Sequence, residues 1–508
     1  MQSAMSEGQH SPAGLAGAAG PQLLREAVLA GPGVGVAGGL RESVWQVLAD
    51  PAAVRAALAA EGHVDTRRRV LTGEVTVAVV LGLCLFSGEG APSVLSRVVP
   101  ALAPGAKVPS ASALSQARAR LKGQPTKVLF EATASRQATL AAGGEAAAAG
   151  GEAEAAGGEA EAAGAMAFGL EPTAFDGTCL DLAATEEIAG QFAVPSAGRY
   201  PQARLVTLAS CRTRHILAAA VGSYATSEQK LFDQTVGALR PGTLNLADRN
   251  FFSMARWVTA AATGAQLAWR VKNGARSLPA RRLAVLSDGS SLVRLRESNS
   301  MLAARRAAAG DRGLPRLPDT LARLVEFDVQ VSDSAGRRRT SRFRVLTTLT
   351  DHHACPAAAI AAVYAERWQV ELAYYRMKVT LRGPGVVLRG QTPALARQEI
   401  WGLLVVYNRL CDLAARAAAD LGVDPDEISF VAVLRHARSY LETATRGCTC
   451  TCPGPDAEAL LTAIAAHPRN RTGRQRTSPR TASQRRTERT RNVTYTITIV
   501  TSNLPEAA

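Results

Sequence analysis

The chain has 508 residues, a formal net charge of +15 and a pI near 9.9. Its length exceeds the usual size of one hydrophobic core and predicts two to four structural units. So basic a chain is unlike an average cytosolic enzyme and suggests a polyanionic partner, with nucleic acid ahead of an acidic membrane.

Neither a membrane span nor a secretory leader is predicted. The longest apolar run, around Val75 to Phe86, is shorter than the roughly 20 residues that cross a bilayer, and we predict a buried helix there. The N-terminus lacks a basic leader followed by an apolar stretch and a cleavage site. Eight cysteines in so long a chain do not indicate a disulfide-rich secreted domain. We therefore expect reduced thiols and a cytoplasmic protein.

A small basic helical domain is predicted near the N-terminus. Residues 1–40, rich in Ala, Gly and Pro, are expected to be loosely ordered. Residues 41–140 show helical periodicity, with Arg118 and Arg120 off the apolar stripe of their helix. These two arginines suggest DNA contact, although an ordinary solvated helix face explains them equally well.

A low-complexity stretch of Ala, Gly and Glu occupies residues 141–166 and contains a GGEAEAA repeat. Such a composition buries too little apolar surface to offset the entropy of ordering the chain. We predict a linker there, and a catalytic domain over residues 167–440 beyond it.

Strand-like runs alternate with helices in residues 167–440, which predicts an α/β fold of the ribonuclease H-like type. Asp176 lies within one strand and Asp248 ends another. Each has a structural alternative, because Asp-Gly is a common turn pair and Asp is a good helix N-cap. Residues 273–351 break the alternation with β-rich segments and are predicted to form an insertion.

Residues from Pro356 to about Leu381 form a strong helical pattern, followed by a second helix from Pro393 to about Ala418. Tyr364, Arg367, Glu371 and Lys378 fall on one face of the first helix at about 100° per residue. Two cations, a phenol and a carboxylate on one face suggest a functional site. A solvated face with an Arg367–Glu371 ion pair is the alternative.

These residues resemble a known family. The pattern Tyr-x2-Arg-x3-Glu-x6-Lys is similar to the signature of the insertion-sequence-four group of DDE transposases. Phe175-Asp-Gly-Thr178 and Leu246-Ala-Asp-Arg-Asn-Phe251 look like the segments around that group's two catalytic aspartates. The three motifs occur in the family's order, and the resemblance extends roughly from Val70 to Arg438.

The resemblance implies a DNA transposase that performs cut-and-paste transposition. It implies that Asp176, Asp248 and Glu371 bind two Mg²⁺ ions, which Mn²⁺ could replace, and hard carboxylate ligands suit such ions. Tyr364, Arg367 and Lys378 would hold phosphates of the transposon end, and Arg249 beside Asp248 is assigned to DNA binding with Arg118 and Arg120. The implied partners are double-stranded DNA, as terminal inverted repeats and as target, and a second subunit in a homodimer on that DNA. The implied location is the cytoplasm of a bacterium, with the nucleoid.

Two features depart from the family. No Trp occurs between Trp269 and Trp368 to hold a flipped base, so Phe327 or Phe343 is the expected substitute. Residues 441–508 contain about nine arginines between Arg469 and Arg491, which predicts a disordered basic tail or the product of a decayed element.

Three cysteines at 448, 450 and 452 in the same tail could suggest zinc. Their spacing is poor chelate geometry without a second pair, which favours a flexible segment.

For the whole chain, a catalytically inactive DNA-binding regulator and a plain ribonuclease H-like nuclease remain alternatives. The intact acidic triad argues against the first, and the Tyr-Arg-Glu-Lys helix is not required by the second.

Overall fold

A computed structural model gives the fold of most of the chain. The described residues are 40–67, 69–103, 105–121, 124–143, 166–274, 278–332, 338–445, 457–468, 494–501 and 504. The predicted N-terminal segment 1–40 and linker 141–166 lie almost wholly outside these residues, and Cys448, Cys450 and Cys452 lie wholly outside them. Within the described residues, no helix is long and apolar enough to cross a membrane.

The described residues of the N-terminal region form six helices, as the periodicity predicted. They are α1 (Leu40–Leu48), α2 (Pro51–Ala60), α3 (Gly73–Leu85), α4 (Ala91–Leu102), α5 (Ala111–Arg120) and α6 (Pro125–Gly143). Capping side chains set several of their starts: the Asp50 carboxylate accepts from the Ala52 amide and the Thr72 hydroxyl from the Val75 amide.

The N-terminal helices pack against the rest of the described chain. The apolar run predicted as a buried helix is α3, which is buried along almost its whole length. It packs against the long helix α13 (Pro393–Leu421), where a Cβ on Gly402 would lie 3.3 Å from Val80. Buried residues of both regions belong to one hydrophobic core.

The rest of the described chain contains one mixed sheet. Its strand order is β3-β2-β1-β4-β5-β9-β8-β7-β6, and β10 lies beside β8. The strands are β1 (Glu171–Asp181), β2 (Gln202–Ser210), β3 (Ile216–Ser223), β4 (Thr243–Ala247), β5 (Gln266–Arg270), β6 (Ala280–Val285), β7 (Ser291–Leu295), β8 (Thr320–Ser332), β9 (Arg338–Thr347) and β10 (Thr494–Val500). Three antiparallel strands followed by parallel β4 and β5 confirm the ribonuclease H-like order.

Helices cover both faces of this sheet. The helices that follow the N-terminal region are α7 (Glu186–Phe192), α8 (Glu228–Thr235), α9 (Met254–Ala261), α10 (Asn299–Ala309), α11 (Ala357–Ala365), α12 (Trp368–Tyr375), α14 (Phe430–Thr445) and α15 (Ala457–Ala465), with α13 as above. Phe175 packs with Phe232 of α8 and Trp269 on one face. Because successive side chains of a strand point to opposite faces, its neighbours Ala174 and Asp176 point to the other face, towards α12.

The predicted β-rich insertion is confirmed, since β6 to β9 fall within residues 273–351. Two details differ from expectation. A helix, α10, interrupts the strands, and β9 pairs with β5, so the insertion extends the main sheet.

The prediction of a disordered tail from residue 441 was wrong for two segments. Helix α15 packs its Leu460 and Ile464 into the main core, and β10 pairs with β8 over seven residues. The alternating Thr-Tyr-Thr-Ile-Thr-Ile-Val sequence of β10 is typical of a strand with one covered face. The whole arginine-rich stretch, Arg469 to Arg491, lies outside the described residues.

Candidate active site

Asp176 lies in the middle of β1, where it pairs with Thr207 of β2. The turn alternative is therefore wrong. Its carboxylate accepts a hydrogen bond from the Gly177 amide at 2.9 Å, and the Tyr374 hydroxyl donates to its carbonyl at 2.6 Å. The strand and α12 thus fix the backbone of Asp176 from two sides.

Asp248 and Asp176 lie in one row across neighbouring parallel strands. Every paired residue of β1 and β4 is offset by 72 positions, from Glu171 with Thr243 to Ala174 with Leu246, and the same offset separates Asp176 from Asp248. The N-cap alternative for Asp248 is wrong, because Ser253 caps the following helix α9. The two carboxylates therefore lie side by side, Asp176 on β1 and Asp248 directly after β4.

Arg270 continues this row on β5 and was not predicted. The pairs of β4 and β5 are offset by 22 positions, which aligns Arg270 with Asp248. Its guanidinium lies 3.7 Å from Asp248 Oδ1 and 4.1 Å from the centroid of the Phe343 ring. The only sequence signal was its position at a strand end, and that signal has meaning only once the strand order is known.

Glu371 lies on α12, and Arg367 begins that helix. The predicted single helix from Pro356 to Leu381 is divided into α11, α12 and a π-helical segment at Arg376–Leu381. Arg367 Nη2 lies 3.7 Å from Glu371 Oε1. The guanidinium is mostly buried, with 14% of its side chain exposed, and a π segment next to a carboxylate is a frequent feature of functional sites.

The three predicted carboxylates all act electrostatically on Arg367. Burial opposes the charge of Arg367, but Tyr364, Asp176, Asp248 and Glu371 act against burial and raise its pKa. Burial also raises the pKa of Asp176 to about 7; Arg367 counters this, whereas Glu371 and Glu228 add to it. One cation therefore interacts with all three acidic side chains.

Asp248 has an oxygen suited to a metal ion. Its Oδ1 is shielded from solvent and has no hydrogen-bond partner among the described residues, and Arg270 is an ion-pair partner at 3.7 Å. Buried carboxylate oxygens normally have partners, and hard oxygen ligands suit Mg²⁺. The donor set fits a divalent cation. However, no group of three or more acidic, His or Cys side chains in the described part of the chain is arranged to hold one ion.

Glu228 is a fourth carboxylate beside the site that the sequence analysis missed. It lies at the start of α8 and accepts a hydrogen bond from Asn250 at 2.6 Å. A Cβ on Gly177 would lie 2.5 Å from its Oε1. Because Gly177 has no side chain, Glu228 can approach β1 beside Asp176. The same carboxylate binds Asn250 in the loop that follows Asp248.

Tyr364 and Lys378 differ in exposure. Tyr364 is 5% exposed, and its hydroxyl donates to the carbonyl of Ala247 at 3.3 Å. Tyr364 therefore fixes the residue before Asp248, and its hydroxyl is not exposed to a DNA phosphate. Lys378 donates to the Thr178 hydroxyl at 3.1 Å on the same strand as Asp176, and burial lowers its pKa.

Of the other predicted DNA contacts, Arg249 is exposed and Arg120 is partly exposed. Arg118 is buried, and its placement off the apolar stripe was wrong. Its guanidinium donates to Gln398 Oε1 at 2.8 Å and to the Leu395 carbonyl at 3.2 Å. It therefore joins α5 to α13 inside the protein, where DNA cannot contact it.

Phe327 and Phe343 do not offer a surface to a flipped base. Their rings stack on each other with centroids 5.5 Å apart, and the residues are 2% and 3% exposed. Arg270 lies over Phe343. The predicted substitution of these rings for the missing Trp was wrong, because both belong to the core between the insertion and the catalytic helices.

Two models of known protein families match this chain. Residues 43–131 match the model of the insertion element 4 transposase N-terminal region. Residues 168–409, which include all three carboxylates, match the model of the transposase DDE domain. The two matches follow the order of the helical region and the sheet.

A relative and a solved structure show similarity over most of the chain. The transposase InsG for insertion sequence element IS4 of Escherichia coli (strain K12) is 26% identical over 388 residues, which cover 75% of this chain and 78% of that protein. A cryo-EM structure of the piggyBac transposase synaptic complex with hairpin DNA covers 89% of this chain and 86% of its own, at 8% identity and a TM-score of 0.38. On the two family matches and the relative, this chain belongs to the insertion element 4 family of DDE transposases.

Proposed function

We propose that Asp176, Asp248 and Glu371 bind the divalent metal ions with which this DNA transposase cleaves and rejoins DNA. The observation that carries the proposal is the alignment of Asp176 and Asp248 on the adjacent strands β1 and β4. The approach of Arg367 to Glu371 at 3.7 Å and its electrostatic interaction with Asp176 and Asp248 support it. Mg²⁺ is the preferred ion for such hard oxygen ligands, and Mn²⁺ is the expected substitute.

Bound metal ions would supply an activated water or 3′ hydroxyl and would stabilise the oxygen that leaves the phosphodiester. The chain's own cations hold the strand. Arg249 is exposed next to Asp248, and Lys378 lies beside Asp176 through Thr178. Arg offers a planar fork to phosphate oxygens and Lys a point charge.

The reaction we propose is cut-and-paste transposition, in which nicks at the terminal inverted repeats are followed by transfer to target DNA. The net charge of +15 supports non-specific attraction to both DNA partners. We further propose that a homodimer holds the two ends, and that the protein works with the nucleoid DNA of a bacterial cytoplasm.

A charge-removing substitution tests the metal assignment. Glu371→Gln should abolish nicking of a duplex that carries the inverted repeat flanking the gene, because metal binding needs the negative charge. Binding to that duplex should be nearly unchanged. Glu366→Gln is the matched control: this neighbouring carboxylate hydrogen-bonds Gln369 and should be dispensable.

Binding is measured by fluorescence anisotropy without metal, and nicking by gel assay with Mg²⁺. If Glu371→Gln nicks at the parental rate, the carboxylate is not a metal ligand. If the parent binds the end but never nicks in Mg²⁺ or Mn²⁺, the protein is the inactive DNA-binding regulator that the sequence left open.

A further inference from the structure

Two buried arginines share one carboxylate next to the helix that carries Glu371. Arg214 Nη2 lies 2.5 Å from Asp426 Oδ1, and Arg376 Nη2 lies 3.6 Å from the same oxygen. The side chains of Arg214 and Arg376 are 1% and 10% exposed. Burial and the charge of Arg214 lower the pKa of Arg376 to about 10. Because two such guanidiniums repel each other, the Asp426 carboxylate stabilises both inside the protein.

These contacts reach α12 at both of its ends. Arg214 Nε and Nη2 donate hydrogen bonds to Gln369 Oε1 at 3.1 and 2.9 Å. Gln369 lies in the first turn of α12, and Arg376 directly follows the last residue of the helix. Asp426 is thus connected to the start of α12 through Arg214 and to its end through Arg376.

Glu371 lies on the opposite side of the helix from these contacts. At about 100° per residue, Gln369 and Arg376 point in directions within about 20° of each other. Glu371 points about 140° to 160° away from both. The two arginines therefore act on the proposed metal ligand only by fixing where α12 lies relative to β1 and β4.

Other parts of the fold fix Arg214 and Asp426. Arg214 lies in the turn between β2 and β3 with a φ of 62°, and its carbonyl accepts a hydrogen bond from the Tyr407 hydroxyl of α13 at 3.1 Å. A left-handed backbone is unfavourable for arginine, so the surrounding structure must hold Arg214 in place. Asp426 lies in a short 3₁₀ turn, Pro425–Glu427, between α13 and α14. Its amide donates to the Asp424 carboxylate at 2.7 Å.

We propose that Asp426 and its two arginines position α12 so that Glu371 reaches the metal ions bound by the two aspartates. Mg²⁺ requires near-ideal octahedral geometry with ligands at about 2.0 to 2.1 Å. A small displacement of the helix would therefore weaken metal binding. The proposal rests on the proposed function, since it requires Glu371 to be a metal ligand. It makes Asp426 a positioning residue that acts through the helix.

The test compares the Mg²⁺ dependence of three variants of the full chain. Asp426→Asn removes the shared charge, and Gln369→Ala removes only the acceptor on α12. Asp412→Asn is the matched control, because this carboxylate of α13 likewise pairs with two basic side chains, His215 at 2.9 Å and Arg409 at 3.7 Å. All proteins are compared at a temperature at which each is fully folded.

Asp426→Asn and Gln369→Ala should raise the Mg²⁺ concentration for half-maximal nicking of the end duplex by about tenfold or more, the effect typical of residues that support metal ligands. Their affinity for that duplex without metal should stay at the parental value. Without DNA, Mg²⁺ should raise their melting temperatures less than that of the parent. Amide hydrogen exchange within α12 of the metal-free protein should be faster in both variants. Asp412→Asn should lower the melting temperature but leave the half-maximal Mg²⁺ concentration and the exchange of α12 unchanged.

A parental half-maximal Mg²⁺ concentration in Gln369→Ala would overturn the positioning role, and this variant decides the question alone if Asp426→Asn does not fold. An equal rise in Asp412→Asn would overturn it as well, since the loss of any buried carboxylate would then have the same effect. Either result leaves the proposed function standing if the parent nicks. A parent that nicks in neither Mg²⁺ nor Mn²⁺ would overturn the proposed function, and the positioning of Glu371 for metal with it.

Discussion

For the substitution Arg118→Ala, the sequence and the structure give opposite expectations. The sequence placed it among the DNA contacts, whereas the structure buries its guanidinium between α5 and α13. In Arg118→Ala, Gln398 Oε1 and the Leu395 carbonyl each lose a donor, at 2.8 and 3.2 Å. The substitution also removes the electrostatic interaction between the Arg118 guanidinium and Glu399.

The expected destabilisation follows from these losses. A hydrogen bond from a charged donor contributes about 1.5 to 3 kcal/mol, and a buried acceptor without a donor costs about 1 to 3 kcal/mol. Glu399 keeps hydrogen bonds from the amides of Arg389 and Gly390, so it is not left as an unpaired charge. We expect the free energy of unfolding to fall by about 2 to 4 kcal/mol.

Urea unfolding followed by circular dichroism measures this change, and anisotropy titrations with end DNA at several salt concentrations measure phosphate contacts. Arg118→Ala should leave the salt dependence of binding unchanged. Arg120→Ala, two residues away and partly exposed, is the matched control and should leave stability nearly unchanged. A variant at Arg118 that keeps full stability while its log–log salt slope falls by about one unit would refute the structural argument, because that is the result for a lost phosphate contact.

Two further predictions concern Tyr364 and the C-terminal strand. Tyr364→Phe removes the 3.3 Å hydrogen bond to Ala247 and should lower the free energy of unfolding by about 1 kcal/mol without changing the affinity for end DNA. Full stability together with a weaker affinity for end DNA at every salt concentration would instead place the hydroxyl on a phosphate. Truncation before Thr494 removes β10 and uncovers the edge of β8 over Glu326–Ser332, so size-exclusion chromatography should show self-association. A truncated protein that stays as dispersed as the parent would contradict a protective role for β10.

Local sequence patterns were enough to predict the elements that carry the site, but not their alignment. Asp176 and Asp248 were placed on strands because apolar runs surround them, and those strands exist. That Arg270 joins their row depends on β4 lying between β1 and β5. Strand order arises from long-range pairing, which periodicity within one strand does not encode.

The helix of Glu371 shows a second limit of local patterns. A uniform rotation of 100° per residue placed Tyr364, Arg367, Glu371 and Lys378 on one face. In the structure the helix is interrupted at Glu366 and Arg367 and becomes π-helical from Arg376. Tyr364 consequently turns into the core, while Arg367 reaches the carboxylates. Apolar spacing continues through such breaks, so the pattern could not reveal them.

The charge of Arg367 also bears on the arrangement of the three carboxylates. Three like charges repel one another, as the effect of Glu371 on Asp176 shows, and the guanidinium of Arg367 offsets that repulsion. Divalent cations would take over this role and would repel the guanidinium, which would then be free to bind a phosphate of the incoming strand.

Arg367→Ala tests this exchange. Without DNA, Mg²⁺ should raise the melting temperature of Arg367→Ala more than that of the parent, since no cation has to be displaced and the carboxylates repel one another more strongly. Its affinity for end DNA should nevertheless be lower, with a salt slope reduced by about one unit. Arg249→Ala, which changes an exposed arginine next to Asp248, should lower the slope in the same way but leave the response to Mg²⁺ at the parental value. If Mg²⁺ stabilises Arg367→Ala no more than the parent, Arg367 does not substitute for the metal ions, and its position among the carboxylates has another cause.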